Sequence, residues 1–283
     1  MRRAFAALTL AAAFAFVQLA CQSAKNQNQP DNTNAARAEA TPVATPAAEH
    51  PLRQQLEEEA RQSPDDPNSH FNLGNVYFQE RRFEEAIAEY QKVILANPND
   101  AETHGQIGNA HFALKRYSEA VESYKRAASA NPKNAEFHNL LGNAYVELRQ
   151  HPEAAEAFRE AARLNPKHPD AFFNLANAYD ALGMYKEEVA ALQQAVKVNA
   201  KDADAYFNLG NAYSKLNRPK EAAGAYQRAV TLNPGDAVAR LTLARTYLKT
   251  GDRKGAETQH EALKSIDPNS AEQLLREINV VQP

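Results

Sequence analysis

The chain overlays itself when shifted by 34 residues, and this repetition constrains its fold more than any other feature. Prolines stand at 64, 98, 132, 166, 234 and 268, with Ala200 in the one place where the series fails. Gly74, Gly108, Gly142 and Gly210 share a register with Ala176 and Ala244, while Ala86, Ala120, Ala154, Ala222 and Ala256 share another. Both columns demand small side chains. Tyr77, Tyr145, Tyr179, Tyr213 and Tyr247 form an aromatic column, with His111 in its remaining place. Within one unit, Leu73-Gly74-x-x-Tyr77 and then Ala86-x-x-x-Tyr90 have the three- and four-residue apolar spacing of an amphipathic helix. Two helices fit in each unit, divided by turn-prone stretches such as Glu80-Arg81-Arg82, Leu182-Gly183-Met184 and Thr250-Gly251-Asp252. Asp66, Asp100, Asn134, Asp202 and Asp236 mark helix starts, because each side chain can accept from an otherwise unpaired N–H; His168 interrupts that series. Ser270 with Gln273 fits a capping box and predicts a last helix from about 271 to 279.

Length 34, Leu-Gly-x-x-Tyr, and then alanine, aromatic, alanine and proline together resemble the tetratricopeptide repeat. The resemblance implies an all-α solenoid of six helix–turn–helix units at 67–100, 101–134, 135–168, 169–202, 203–236 and 237–270. Residues 51–66, with Leu52, Leu56 and Ala60, read as a preceding helix, and 271–283 as a capping helix and tail. One unit cannot bury its apolar face alone, so the six are expected to stack into a right-handed superhelix with a concave groove. The fourth unit departs furthest from the pattern. Glu188 occupies the close-packed alanine column and Ala200 replaces the proline, which marks the seam between the fourth and fifth units for altered curvature or lower stability.

In this family the first helix of each unit faces the groove. There Asn75, Asn109, Asn143, Asn177 and Asn211 repeat before the column switches to Arg245, and Asn72, Gln106, Asn174 and Asn208 stand three residues earlier on the same face. A carboxamide both donates and accepts, so such a ladder can hold the backbone of an extended peptide without reading its sequence. The arrangement resembles the asparagine-lined groove of the O-linked GlcNAc transferase family; packing between helices is the competing role for the same residues. Phe71, Phe173 and Phe207 lie four residues before their asparagines and are either further packing or anchors for partner side chains. The lysines and arginines of the carboxylate-clamp members are replaced here by Phe71, Gly105, Asn139, Phe173 and Phe207. Glu102, Glu136, Asp170 and Asp204 form an acidic column whose simplest role is interaction with helix dipoles, while Lys215, Arg240, Arg245 and Lys249 make the last units more basic.

Met1-Arg2-Arg3 followed by the uncharged run Ala4 to Ala20 reads as a signal peptide covering 1–20, with an uncleaved membrane anchor as the alternative. Leu19-Ala20-Cys21 resembles the lipobox of bacterial lipoproteins, although Gln18 and Leu19 depart from its usual pattern. That resemblance implies lipidation at Cys21, whereas an ordinary secretory cleavage would leave a free thiol. Residues 21–50 hold no aromatic and, past Cys21, one sizeable aliphatic, Val43; they read as a disordered tether between the lipid and the repeats. Gln22 after the cysteine, in the sorting habit of such lipoproteins, implies the periplasmic face of an outer membrane.

A formal charge of −3 lacks the basic footprint of a nucleic-acid binder, and a single cysteine excludes an intrachain disulfide framework. His70, His104 and His138 also repeat at 34 residues, but equivalent residues on stacked helices lie about 8–10 Å apart, too far to share one zinc. A packing role is expected for them. No nucleophile, phosphate-binding or dinucleotide-binding motif occurs. The expectation is therefore a non-catalytic scaffold of the bacterial envelope, without cofactor or small-molecule substrate, that binds a protein or extended peptide. Pilotins of the type IV pilus and scaffolds of murein hydrolases share this architecture and stay open as narrower readings. An accessory subunit of an enzyme such as a glycosyltransferase is the reading from another class.

Overall fold

A computed structural model describes residues 51–168 and 170–280. The expected signal peptide, Cys21 and the tether lie outside the described residues. Fourteen α-helices and no strand occur among the described residues, as the repeat pattern requires. The chain divides into two compact units, the first ending at Leu148 and the second beginning at Arg149.

The first unit holds α1 (Pro51–Gln62), α2 (Pro67–Gln79), α3 (Phe83–Ala96), α4 (Ala101–Ala113), α5 (Tyr117–Ala130) and α6 (Ala135–Glu147). Sequential helices pack as neighbours, α1 covering α2 through buried Leu56 and Ala60 against Leu73 and Val76. Leu52, expected to share that face, is 46% exposed. The second unit holds α7 (His151–Leu164), α8 (Ala171–Ala181), α9 (Tyr185–Val198), α10 (Ala203–Lys215), α11 (Pro219–Leu232), α12 (Ala237–Thr250), α13 (Arg253–Ile266) and α14 (Pro268–Val280). Its end is closed by α14, where Leu274 and Ile278 pack with Ala244, Ala256 and Leu263.

The small-residue columns have a direct steric cause. A Cβ on Gly74, Gly108 or Gly210 would stand 2.4–2.6 Å from the ring of Tyr90, Tyr124 or Tyr226, closer than packed atoms approach. Each of those tyrosines is buried against its glycine from the second helix of the pair. In the fourth pair the sequence carries Ala176 with Leu192, so the extra methyl coincides with loss of the ring. Ala86, Ala120, Ala154, Ala222 and Ala256 are fully buried.

Polar bonds repeat at the same period. Asp66, Asp100, Asn134, Asp202 and Asp236 each accept a backbone N–H in the first turn of the next helix. His168, which breaks that series, accepts the Asp170 N–H with its ring Nδ1 at 3.3 Å, and α8 begins only at Ala171. The capping box expected at Ser270 gives way to a different cap. Asp267 accepts from the backbone N–H groups of Asn269 and Ser270, so α14 starts at Pro268, about one turn earlier than the sequence reading. Tyr77 donates to Glu57, Tyr247 donates to Gln227, and Gln193 donates to Tyr213, at 2.9–3.0 Å; each bond joins the first helix of a pair to the helix that precedes it. The histidines take the packing role expected of them, since His70, His104 and His138 place Nε2 against the carbonyls of Pro64, Pro98 and Pro132. Arg240 does the same to the Pro234 carbonyl.

The turn between paired helices requires a left-handed residue that the sequence marks only in part. Gly183 and Gly251 occupy the position with φ of 71° and 80°, but Arg81, Lys115, Arg149 and Asn217 adopt it with φ of 57–63°. A side chain with a Cβ pays steric strain there.

Candidate functional site

The asparagine column divides into two chemical groups. Tyr90, Tyr124 and Tyr226 donate their hydroxyls to Oδ1 of Asn75, Asn109 and Asn211 at 2.7–2.8 Å. Burial pushes the Tyr90 and Tyr226 phenols up, which keeps them protonated donors at neutral pH. These three carboxamide oxygens are therefore engaged in holding the second-helix tyrosines, and what remains for a ligand is Nδ2 of Asn75 and Asn211. Asn109 is 2% exposed, and its Nδ2 donates to Gln106 Oε1 at 3.1 Å.

Asn177 stands apart. The residue aligned with the tyrosines is Leu192, which has no hydroxyl, and Asn177 on α8 is exposed with both carboxamide ends unbonded. Asn143 on α6 is half-buried and unbonded within its own unit; its aligned residue is Phe158, also without a hydroxyl. Tyrosine or its absence fifteen residues downstream thus sorts the ladder, a signal present in the sequence but visible only once the bond is known.

The flanking residues are equally mixed. Asn72 is exposed, Asn208 is half-buried, Asn174 is half-buried and engaged, and Gln106 is 3% exposed. Phe71 packs on the Tyr90 ring with centroids 5.8 Å apart, and Phe207 on the Tyr226 ring at 5.4 Å. Those distances suit tilted aromatic pairs. Phe173 is buried. Arg245 grips Glu277 of α14 through Nε and a second nitrogen at 2.7–3.2 Å, which fixes the closing helix onto α12. Lys215 pairs with Asp180, and Arg240 is bonded to Gln259, so Lys249 is the exposed cation of that group without a hydrogen bond or ion pair.

Glu188, the intruder in the alanine column, is 4% exposed, and its Oε2 has no hydrogen-bond partner. Burial first, and the neighbouring Asp180 second, push its carboxyl up to about 7, with Lys215 opposing them. The described residues contain no group of ligands able to hold a metal ion and no helix long and apolar enough to cross a membrane.

Paired helices at a 34-residue period, with small-residue columns under second-helix rings, define a tetratricopeptide-repeat protein. The family model described as the cilia and flagella-associated protein 70 C-terminal domain matches residues 6–277, and the chain belongs to that tetratricopeptide family. No curated protein sequence matches it. Among solved structures it is similar to YrrB, titled a TPR protein with an unusual peptide-binding site, at 22% identity and a TM-score of 0.59, over 66% of this chain and 96% of that one. It is similar to MamA at 26% identity and a TM-score of 0.55, over 57% and 95% of the two chains. Pseudomonas aeruginosa pilF matches at 19% identity with a TM-score of 0.57, over 80% and 99%. The fold is that of a protein–protein interaction scaffold.

Proposed function

We propose that this protein is a non-catalytic scaffold of the bacterial envelope, tethered through lipidated Cys21, that holds an extended segment of a partner protein on its first-helix faces. The observation that carries the binding reading is Asn177, an exposed carboxamide at a family binding position with no packing bond to keep it there. Such a group can accept a backbone N–H and donate to a backbone carbonyl at once. The printed description of YrrB as peptide-binding supports the same class of ligand. The envelope assignment rests on the Met1–Arg3 start, the apolar run to Ala20 and the lone cysteine that follows it.

Affinity capture from the native envelope tests the proposal. Asn143→Ala and Asn177→Ala should together lose the captured partner while helicity by circular dichroism stays at the wild-type level. Cys21→Ser should move the protein from the membrane to the soluble fraction. Undiminished capture by the asparagine variants refutes the binding face, and unchanged fractionation refutes the lipid tether.

A further inference from the structure

We infer that the recess beside Gly105 is a subsite for a lysine or arginine side chain of the bound polypeptide, an inference that rests on the peptide-binding reading above. The recess lies wholly within the first unit, between α4 and α6, and encloses about 250 Å³. Small-molecule sites usually measure about 300–1,000 Å³, so the recess is scaled to one side chain.

Its origin is legible in the repeat register. The column Phe71, Gly105, Asn139, Phe173, Phe207 and Leu241 places a side chain at every unit except the second. Phe137 supplies part of the missing volume, its ring 2.7 Å from where a Gly105 Cβ would stand, and the remainder stays open. Phe137 and Leu140 wall one side, Gln106 and Asn109 line another, and Asp100 and Glu102 bring two carboxylates to a lining that contains no cation.

Two groups there are uncommitted. Glu102 makes no hydrogen bond or ion pair, whereas Glu136, Asp170 and Asp204 of the same column are engaged. Glu102 stands at the exposed rim of the recess, where partial desolvation, and then the like charge of Asp100, push its carboxyl up, a condition that a bound cation would relieve. The second group is Gln106, 97% buried by its 3% exposure, whose Oε1 is held by Asn109 while its Nε2 donates to nothing. A bond series from Tyr124 through Asn109 to Gln106 therefore ends in a fixed, free amide at the recess. The subsite pairs an acceptor for a cation with a donor for a peptide carbonyl, across an apolar wall for an aliphatic stem.

The test uses the full chain and three capped nine-residue alanine–serine peptides that differ only at the centre, carrying arginine, its neutral isostere citrulline, or glutamate. Fluorescence anisotropy reads their affinities for wild type, Glu102→Gln, Glu102→Lys and Asn143→Ala. The arginine peptide should bind wild type roughly tenfold more tightly than the citrulline peptide, the scale of one charge-assisted bond. Glu102→Gln should erase that preference, and Glu102→Lys should transfer it to the glutamate peptide. Asn143→Ala, on α6 of the same unit, should weaken all three peptides and leave the preference intact. Equal binding of arginine and citrulline peptides by wild type, or a preference that survives Glu102→Gln, overturns the subsite. In either case a loss on Asn143→Ala shows that the groove reading stands without it. Failure of all three peptides to bind wild type also overturns the subsite, and leaves the broader reading to be judged by the envelope capture.

Discussion

Glu188→Gln isolates the effect of a carboxyl placed where the repeat supplies alanine. In the folded chain that carboxyl is 4% exposed, faces Asp180 of α8 and Lys215 of α10, and titrates near 7, whereas its ordinary value is 4.5. The folded state therefore holds the proton more tightly than the unfolded state. As pH rises from 4.5 towards 7 the unfolded chain releases that proton first, so stability falls through this window and stays low above it. At ~1.36 kcal/mol per decade the whole window corresponds to about 3 kcal/mol. Glutamine keeps the shape and removes the titration. Urea unfolding followed by circular dichroism at about pH 5 and about pH 8.5 should show the advantage of Glu188→Gln over wild type growing by about 2–3 kcal/mol. Carboxylates far from Glu188 contribute equally in both proteins and cancel in the difference. An advantage of the same size at both pH values would refute the reasoning, because it would mean that Glu188 is charged, or neutral, throughout.

Two further substitutions test the packing rules of the repeat. Gly108→Ala should destabilise by about 1–2 kcal/mol, because overpacking against Tyr124 exceeds the helix-propensity gain, and Tyr124→Leu should restore part of the loss by recreating the Ala176–Leu192 combination of the fourth pair. A double-mutant cycle in urea checks it, and strict additivity contradicts it. Lys115→Gly should raise the unfolding midpoint by up to about 1 kcal/mol of stability, since φ of 59° costs lysine more than the chain entropy glycine loses on folding; a lowered midpoint contradicts it.

The repeat period made the helices, their starts and the small-residue columns legible from the sequence, because each depends on local spacing and on a neighbour one unit away. Departures came where a bond replaced a pattern. Asp267 outcompetes Ser270 as a cap by accepting two backbone N–H groups, which no capping-box motif encodes. Lys115 and Arg149 take the left-handed turn without the glycine that would announce it, whereas Arg81 falls in a stretch read as a turn from the sequence. The asparagine column looked uniform along the chain, and only the hydroxyls of Tyr90, Tyr124 and Tyr226 divide it. Gln106 stood in a polar column without distinction; its free Nε2 emerges only from knowing what Asn109 occupies.

The division of that column is the central claim, and one paired measurement tests it. Asn109→Ala and Asn177→Ala are each assayed for unfolding midpoint in urea and for partner capture from the envelope. Asn109→Ala should lose about 1–2 kcal/mol of stability, because it removes two buried hydrogen bonds, one accepted from the Tyr124 hydroxyl and one donated to Gln106. Asn177→Ala should leave the midpoint unchanged and weaken capture. Equal stability losses from both variants, or capture lost in neither, would contradict the division into packing and binding asparagines.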